Sequence, residues 1–282
     1  MAFDLDKLIG ESKQIFSLPQ IFNRINEVVN DPEKSFEDVA DVIRQDLGLS
    51  TRLLQIANSS FYHFPEKIET VTHAVCVVGT QQLRDLALGA IVVNTFKGIP
   101  ENLIAMKPFW QHSIASGIAA RTLAVYLRDE NPERLYITGM LHEVGRLILF
   151  TSFQDQANRA LRQCRADKEL LLNLEKEMIG CDHAAAGGAL LEAWEFPAFQ
   201  VEAVRFHHTP TQAAAFPIET TIVHVADIIA HTLHLGSGGE FYIPTLQLSM
   251  WENLNLSADL LQPLCKQVEK QFAEINEIFL GD

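Results

Sequence analysis

The feature that most constrains this chain is a helical hydrophobic period that runs almost without interruption. Apolar residues return at three- and four-residue steps in Ile21-Ile25-Val28-Val29, in Val39-Val42-Ile43 and in Leu49-Leu53-Leu54-Ile56. That spacing gathers them on one face of a 3.6-residue turn. Convincing period-two alternation is missing. Thr70 to Val78 holds enough β-branched residues to admit a short strand. Ala74, Val75, Val78 and Leu83 continue a helical stripe, however, so helix is expected there too. The fold class that follows is all-α. With 48% hydrophobic residues in 282, the helices can enclose a substantial core.

The starts and stops agree with this. Pro19 opens a helix, where a missing amide is harmless, and Asp31-Pro32 closes it. Ser35 with Asp38 resembles a capping box. Gly48 is expected to end the helix that follows, and Gly79-Thr80 to separate two more. Gly98-Ile99-Pro100 is the best internal boundary. It divides an N-terminal helical subdomain, residues 1–98, from a C-terminal one, residues 99–282, with longer helices expected at about 102–128, 133–150, 154–166, 168–179, 183–194, 198–208, 217–235 and 257–279. Gly236-Ser237-Gly238-Gly239 is the loosest stretch and is expected to be a mobile loop.

Charge and cysteine usage exclude several classes. Lys and Arg total 22 against 36 Asp and Glu, a formal charge of −14. Such a chain lacks the basic field that nucleic-acid binding needs. No apolar run is long enough for a membrane span, and Met1 to Lys7 lacks the basic start of a signal peptide. Cys76, Cys164, Cys181 and Cys265 form no Cys-x-x-Cys, so they read as reduced, mostly buried thiols of a cytoplasmic protein.

The second half carries the chemistry. His112, His142-Glu143, His183, His207-His208 and Asp227 all fall in helical segments. Imidazole and carboxylate are the ligand types that hold divalent iron, manganese, zinc or magnesium. His142-Glu143 stands in the apolar run Tyr136 to Phe150, where an unpartnered charge costs several kcal/mol, roughly. A metal is one compensation and a buried polar network another. Taken singly, each residue has a plainer role. Asp227 suits a helix–helix acceptor, and His207-His208 suits a helix C-terminus. His63, His73, His224, His231 and His234 read as structural or surface residues, although His231 and His234 share a face that also admits an adventitious metal.

In order and setting, the set resembles the HD superfamily of metal-dependent phosphohydrolases. Thr138-Gly-Met-Leu-His-Glu-Val-Gly-Arg-Leu147 is similar to its Leu-Leu-His-Asp-Ile-Gly-Lys/Arg signature. Leu18-Pro19, Ser50-Thr-Arg-Leu-Leu-Gln-Ile-Ala-Asn-Ser-Ser-Phe-Tyr62 and Ile68-Glu-Thr-Val-Thr-His-Ala-Val75 resemble the HDOD (HD-related output domain) family within it. The resemblance covers about residues 15–235; no motif places the helical extension after it. It implies an N-terminal helical subdomain packed on an HD-like multi-helix bundle, and a bacterial signalling role exerted through a protein partner. The ligand positions it implies are His112, His142, Glu143, His183, His207, His208 and Asp227, for a divalent metal such as Fe, Mn, Zn or Mg.

The chain departs from the superfamily in two places. Glu143 replaces the aspartate, and Thr209-Pro-Thr211 follows His207-His208 where HD-GYP phosphodiesterases carry Gly-Tyr-Pro. Glutamate reaches about 1.5 Å farther than aspartate, and a displacement of ~1 Å can cost about 100-fold in rate. Two functions stay open: a regulator acting by protein contacts with a partly retained metal site, and an active phosphohydrolase on a nucleotide or cyclic dinucleotide. In the second, His112, His142, Glu143 and Asp227 form the core centre, His183, His207 and His208 hold a second ion or orient substrate, and Arg146 pairs with a phosphate of the ligand. A solvated position, or a pairing with Glu143, is the alternative for Arg146.

Overall fold

The computed structural model describes residues 4–5, 7–10, 18–62, 64–96, 99 and 103–281. The protein is 71% helical, and no strand occurs among the described residues. The chain divides into two compact units, residues 17–97 with 269–282, and residues 1–16 with 98–268. Gly98 and Pro100 of the expected boundary lie outside the described residues, as does His63. Residues 269–282 group with the N-terminal helices, whereas the sequence reading places them in the C-terminal subdomain.

In the unit of residues 17–97, five helices follow one another: α1 (Gln20–Asn30), α2 (Phe36–Arg44), α3 (Leu47–Ala57), α4 (Val71–Val78) and α5 (Thr80–Thr95). Their apolar stripes meet in a core that includes Ile25, Val39, Ile43, Leu53, Ile56, Val75, Leu83 and Leu86. Ser35 and Asp38 form the capping box of α2. The expected stop at Gly48 does not occur. The Asp46 carboxylate accepts the Leu49 amide at 2.9 Å, so α3 starts before the glycine and carries it in its first turn. A capped amide outweighs the weak helix propensity of one glycine. Gly79, at φ +100, turns α4 into α5. Asn58 explains much of the Ala-Asn-Ser segment. Its amide accepts from the Ile68 nitrogen and donates to the Ile68 carbonyl, both at 2.8 Å, which closes the loop between α3 and α4. Glu274 accepts the Ser60 amide at 2.9 Å, which ties the C-terminal residues to the same loop.

The unit of residues 98–268 holds α6 (Met106–Tyr126), α7 (Glu133–Leu141), α8 (Val144–Ser152), α9 (Gln154–Asp167), α10 (Leu171–Met178), α11 (His183–Ala193), α12 (Ala198–Phe206), α13 (Pro217–Thr232), α14 (Leu248–Asn253) and the start of α15 (Leu261–Leu280). Every residue of α6 from His112 to Ala124 is buried, as expected of a helix that apart from His112 and Arg121 is apolar or small on all sides. It packs on α7 and α13, while α11 packs on α8 and α12. A Cβ on Gly145 of α8 would overlap the His183 carbonyl and the Gly187 amide. This close crossing sets where α11, and with it His183, begins.

The expected helix over 133–150 is two helices, α7 and α8, with a turn at His142-Glu143. Among the described residues no single helix is long and apolar enough to cross a membrane. Cys164 and Cys181 are buried, Cys265 is half-buried and Cys76 is exposed, and none is in a disulfide.

Candidate metal centre

Five places in the fold bring the ligand-type side chains together. His112 stands on α6 and Asp227 on α13. His142 and Glu143 form the turn between α7 and α8. His183 is the first residue of α11, whose first turn is capped by the Asp182 carboxylate accepting the Ala185 amide at 2.7 Å. His207 and His208 follow the last turn of α12. His112, His142, His183, His207 and Asp227 are 0% exposed, Glu143 and Arg146 are 1% exposed, and His208 is half-buried.

The distances are those of a single polar cluster. Asp227 Oδ1 lies 3.1 Å from His112 Nε2 and 3.4 Å from His142 Nε2. Glu143 Oε1 lies 3.9 Å from His142 Nε2 and 3.7 Å from His183 Nε2. His183 Nε2 and His208 Nε2 are 2.9 Å apart. Ligand atoms of Glu143, His183, His207 and His208 all lie within 4.8 Å of one another, and so do those of His142, His207 and Asp227.

Backbone hydrogen bonds fix the tautomers of two of these rings. His142 Nδ1 donates to the Gly139 carbonyl at 2.6 Å, and His207 Nδ1 donates to the Val204 carbonyl at 2.7 Å. Each ring thereby satisfies a carbonyl left over at its helix end. The neutral imidazole then has a lone pair on Nε2. Both Nε2 atoms are buried and have no hydrogen-bond partner, as are Asp227 Oδ2 and His208 Nδ1. Unmatched buried acceptors normally cost free energy. A ligating histidine has this same arrangement, one nitrogen held by a carbonyl and the other directed at a cation. The residues therefore fit a divalent metal.

The electrostatics favour the ligand form at four of the rings, whereas at His142 and His231 burial is outweighed by Asp227, which raises both. Burial pushes His112 down to about 3 and holds His183, His207 and His208 well below the usual imidazole range, so these rings are neutral near pH 7. Neutral imidazole is the ligand form. Burial alone would raise Asp227, but His231, His112 and His142 hold its carboxyl well below the ordinary value. Burial pushes Glu143 up to about 7, against the opposing pull of Arg146 and His142.

Arg146 is not a solvated helix residue. Its Nε donates to Glu175 Oε1 at 3.0 Å and its Nη1 to the Gly238 carbonyl at 2.9 Å. Nη1 also lies 2.8 Å from Glu143 Oε2, and Nη2 lies 2.8 Å from His183 Nδ1. Glu175 completes this frame by accepting the His183 amide at 3.0 Å and contacting His183 Nδ1 at 2.6 Å.

The glycine segment also differs from expectation. The Ser237 amide donates to the Pro108 carbonyl at 2.9 Å, Gly238 is buried, and Glu240 accepts the Leu171 amide at 2.7 Å. A Cβ on Gly236 would overlap the His112 amide nitrogen, and one on Gly238 would lie 2.9 Å from Arg146 Nη1. The glycines allow the backbone to lie directly on the centre as a cover.

Three residues outside the expected set join this site. Glu175 orients His183 and Arg146, as just described. His224 Nδ1 donates to the His207 carbonyl at 2.7 Å, a supporting role. His231 Nε2 lies 3.3 Å from Asp227 Oδ1, and its ring centroid is 4.4 Å from that of His112. His231 stands one helical turn after Asp227 on α13, so the structure sets it against Asp227 rather than with the exposed His234. His73 and His234 are exposed.

Comparison with known proteins bears on the fold and the family. The family model for the HDOD domain matches residues 15–210. An uncharacterized protein of Treponema pallidum (strain Nichols) is 26% identical over 200 residues, which are 69% of this chain and 38% of the length of that relative. Among solved structures, an HDOD domain protein of unknown function from Geobacter sulfurreducens superposes with a TM-score of 0.78 at 24% identity, covering 97% of this chain and 98% of its own. A Shewanella amazonensis SB2B protein provisionally named a phosphohydrolase gives a TM-score of 0.74 at 24% identity, covering 96% of this chain and 97% of its own. These two likenesses show the shared fold.

Proposed function

The chain belongs to the HDOD domain family, and on that premise we propose that it is a signalling regulator acting through contacts with other proteins. In this reading it holds a buried divalent-metal centre with little or no hydrolytic turnover. The observation that carries the proposal is the combination of a ligand-rich cluster with its enclosure. Of the seven expected ligands only His208 is partly exposed. The Gly238 backbone lies against Arg146 and Glu143, which restricts the approach of a phosphoester.

The proposed ligands are His112, His142, Glu143, His183, His207, His208 and Asp227. A divalent ion held by such a set supplies Lewis acidity toward a phosphoryl oxygen. The protein's own groups do the rest. His142 and His207 direct their Nε2 lone pairs inward because their Nδ1 protons are given to backbone carbonyls. Glu175 and Arg146 fix the ring of His183, and Arg146 also holds the Glu143 carboxylate. With its guanidinium engaged by Glu175, Gly238, Glu143 and His183, Arg146 acts as a positioning residue in this reading.

The competing reading is a phosphohydrolase acting on a nucleotide or cyclic dinucleotide, with Glu143 at the reacting centre and Arg146 turned to a substrate phosphate. The partial exposure of His208 favours it, because that edge is where a substrate would enter. The two readings separate in one experiment. Mn²⁺-loaded protein is assayed on nucleotides and cyclic dinucleotides beside Glu143→Asp. The regulator reading expects wild type to be inert or very slow, with any gain of activity confined to Glu143→Asp. Turnover by wild type at even ~1 s⁻¹, the low end of ordinary enzyme rates, abolished in His142→Ala, would establish the hydrolase instead.

A further inference from the structure

Three imidazole Nε2 atoms surround one oxygen of Asp227. His112, His231 and His142 approach Oδ1 at 3.1, 3.3 and 3.4 Å. The other oxygen, Oδ2, is buried and has no hydrogen-bond partner. Hydrogen bonding explains this distribution poorly. A carboxylate oxygen offers two lone pairs, so three donors on one oxygen beside an unused one is unfavourable. The separations suit a shared cation instead. Nitrogen and oxygen ligands about 2.0–2.1 Å from one tetrahedral ion stand roughly 3.3 Å apart.

The helix geometry agrees. Asp227 and His231 are four residues apart on α13, so one face of one helix presents both. The ligand atoms of His112, Asp227 and His231 lie within 4.8 Å of one another. A second group, equally compact, consists of Glu143, His183, His207 and His208, and the two are joined by the groups His112, His142, Glu143 and His142, His207, Asp227. His142 touches both, 3.4 Å from Asp227 Oδ1 and 3.9 Å from Glu143 Oε1. Glu143 is drawn toward the second group by Arg146 at 2.8 Å and by His183 at 3.7 Å.

We infer that His231 is a metal ligand, forming with His112 and Asp227 one metal position, while Glu143, His183, His207 and His208 form a second. This rests on the reading of the cluster as a two-metal centre and adds to it one ligand, His231, in place of Glu143 at the Asp227 position. The Asp227 position draws its third ligand from α13, so it does not depend on the carboxylate at residue 143 to close it. Three protein ligands plus His142 nearby make it a closed site of the structural kind.

The test uses Co²⁺ as the probe. Metal-free protein is titrated with Co²⁺, and the ions bound per chain are counted by visible absorption and elemental analysis. Wild type binds two ions. His231→Gln keeps one and loses well over 100-fold in affinity for the other, beyond the roughly 10–100-fold that a supporting residue accounts for. His208→Gln retains the ion that His231→Gln loses. Unchanged stoichiometry and affinity in His231→Gln overturns the inference while the metal centre stands. Wild type that binds no Co²⁺ removes both. Circular dichroism checks the folding of each variant. If His231→Gln does not fold, Co²⁺-loaded wild type with isotopically labelled histidine gives the answer by paramagnetic nuclear magnetic resonance. The hyperfine-shifted rings are then His112, His142, His183, His207, His208 and His231, and a His231 signal at its ordinary position overturns the inference.

Discussion

Replacing Arg146 with methionine removes a cation from a place where only protein surrounds it. The side chain is 1% exposed. Its guanidinium lies 2.8 Å from Glu143 Oε2 and 3.0 Å from Glu175 Oε1, and it also donates to the Gly238 carbonyl. Methionine fills similar space without charge, so the loss is chiefly that of the counter-ion for two buried carboxylates. Breaking a buried pair in this way costs about 3–5 kcal/mol, a large part of the roughly 5–15 kcal/mol that holds a domain folded. For a chain of this size that corresponds to a fall in Tm of about 6–20 °C. Thermal melts of metal-free protein, followed by circular dichroism, measure it directly.

The loss also has a pH dependence of defined sign. Burial pushes Glu143 up to about 7 and raises Glu175, while Arg146 opposes both shifts. Each carboxyl therefore binds its proton more tightly in the folded chain than in the unfolded one, where the value is near 4.5. Their contribution to stability is fully present below that value and is lost as pH rises through the folded-state pKa. Without the guanidinium the folded-state pKa values rise further. The deficit of Arg146→Met is thus greatest in the alkaline range and shrinks as pH falls through 7 toward 4.5. A fall in Tm below about 2 °C, equal at both ends of this range, is less than half of what a broken buried pair should give and would refute the reasoning.

Two further substitutions test how the centre is positioned. Gly145→Ala drives a methyl group into the His183 carbonyl and the Gly187 amide. It should destabilise by at least the 1–3 kcal/mol, roughly, of ordinary overpacking, and should weaken Co²⁺ binding, as melts and titration would show. Asp182→Ala removes the cap of α11. It should cost about 1 kcal/mol and lower Tm modestly with wild-type Co²⁺ stoichiometry, whereas loss of an ion would mean that the cap also positions His183.

Much of the fold was legible in the sequence because each helix buries a stripe and the stripe has a period. The capping box at Ser35 and the helix over Val71–Val78 follow from local chemistry alone. The turn at His142-Glu143 was hidden because the apolar run from Tyr136 to Phe150 continues through it, with no proline to mark the break. The cover formed by residues 236–239 was misread for a tertiary reason. Glycines that look slack in sequence are there because the His112 amide and the Arg146 guanidinium leave no room for a side chain. In sequence His231 pairs with His234 on one helix face, and only the packing of α6 on α13 puts it beside His112 and Asp227 instead. Glu175 gave no signal at all. It is one acidic residue in α10, and only the packing of that helix puts it beside His183 and Arg146.

The central claim is that the buried histidine–carboxylate cluster holds a divalent metal. The most direct test is the elemental content of protein purified without added metal, measured beside the double variant His142→Ala/His207→Ala. These are the two rings whose Nδ1 protons are committed to backbone carbonyls and whose Nε2 atoms have no hydrogen-bond partner. The account predicts stoichiometric iron, manganese or zinc in wild type and a large loss in the double variant. Wild type that emerges metal-free, and whose Tm does not rise when Mn²⁺, Fe²⁺ or Zn²⁺ is added in excess, would contradict it.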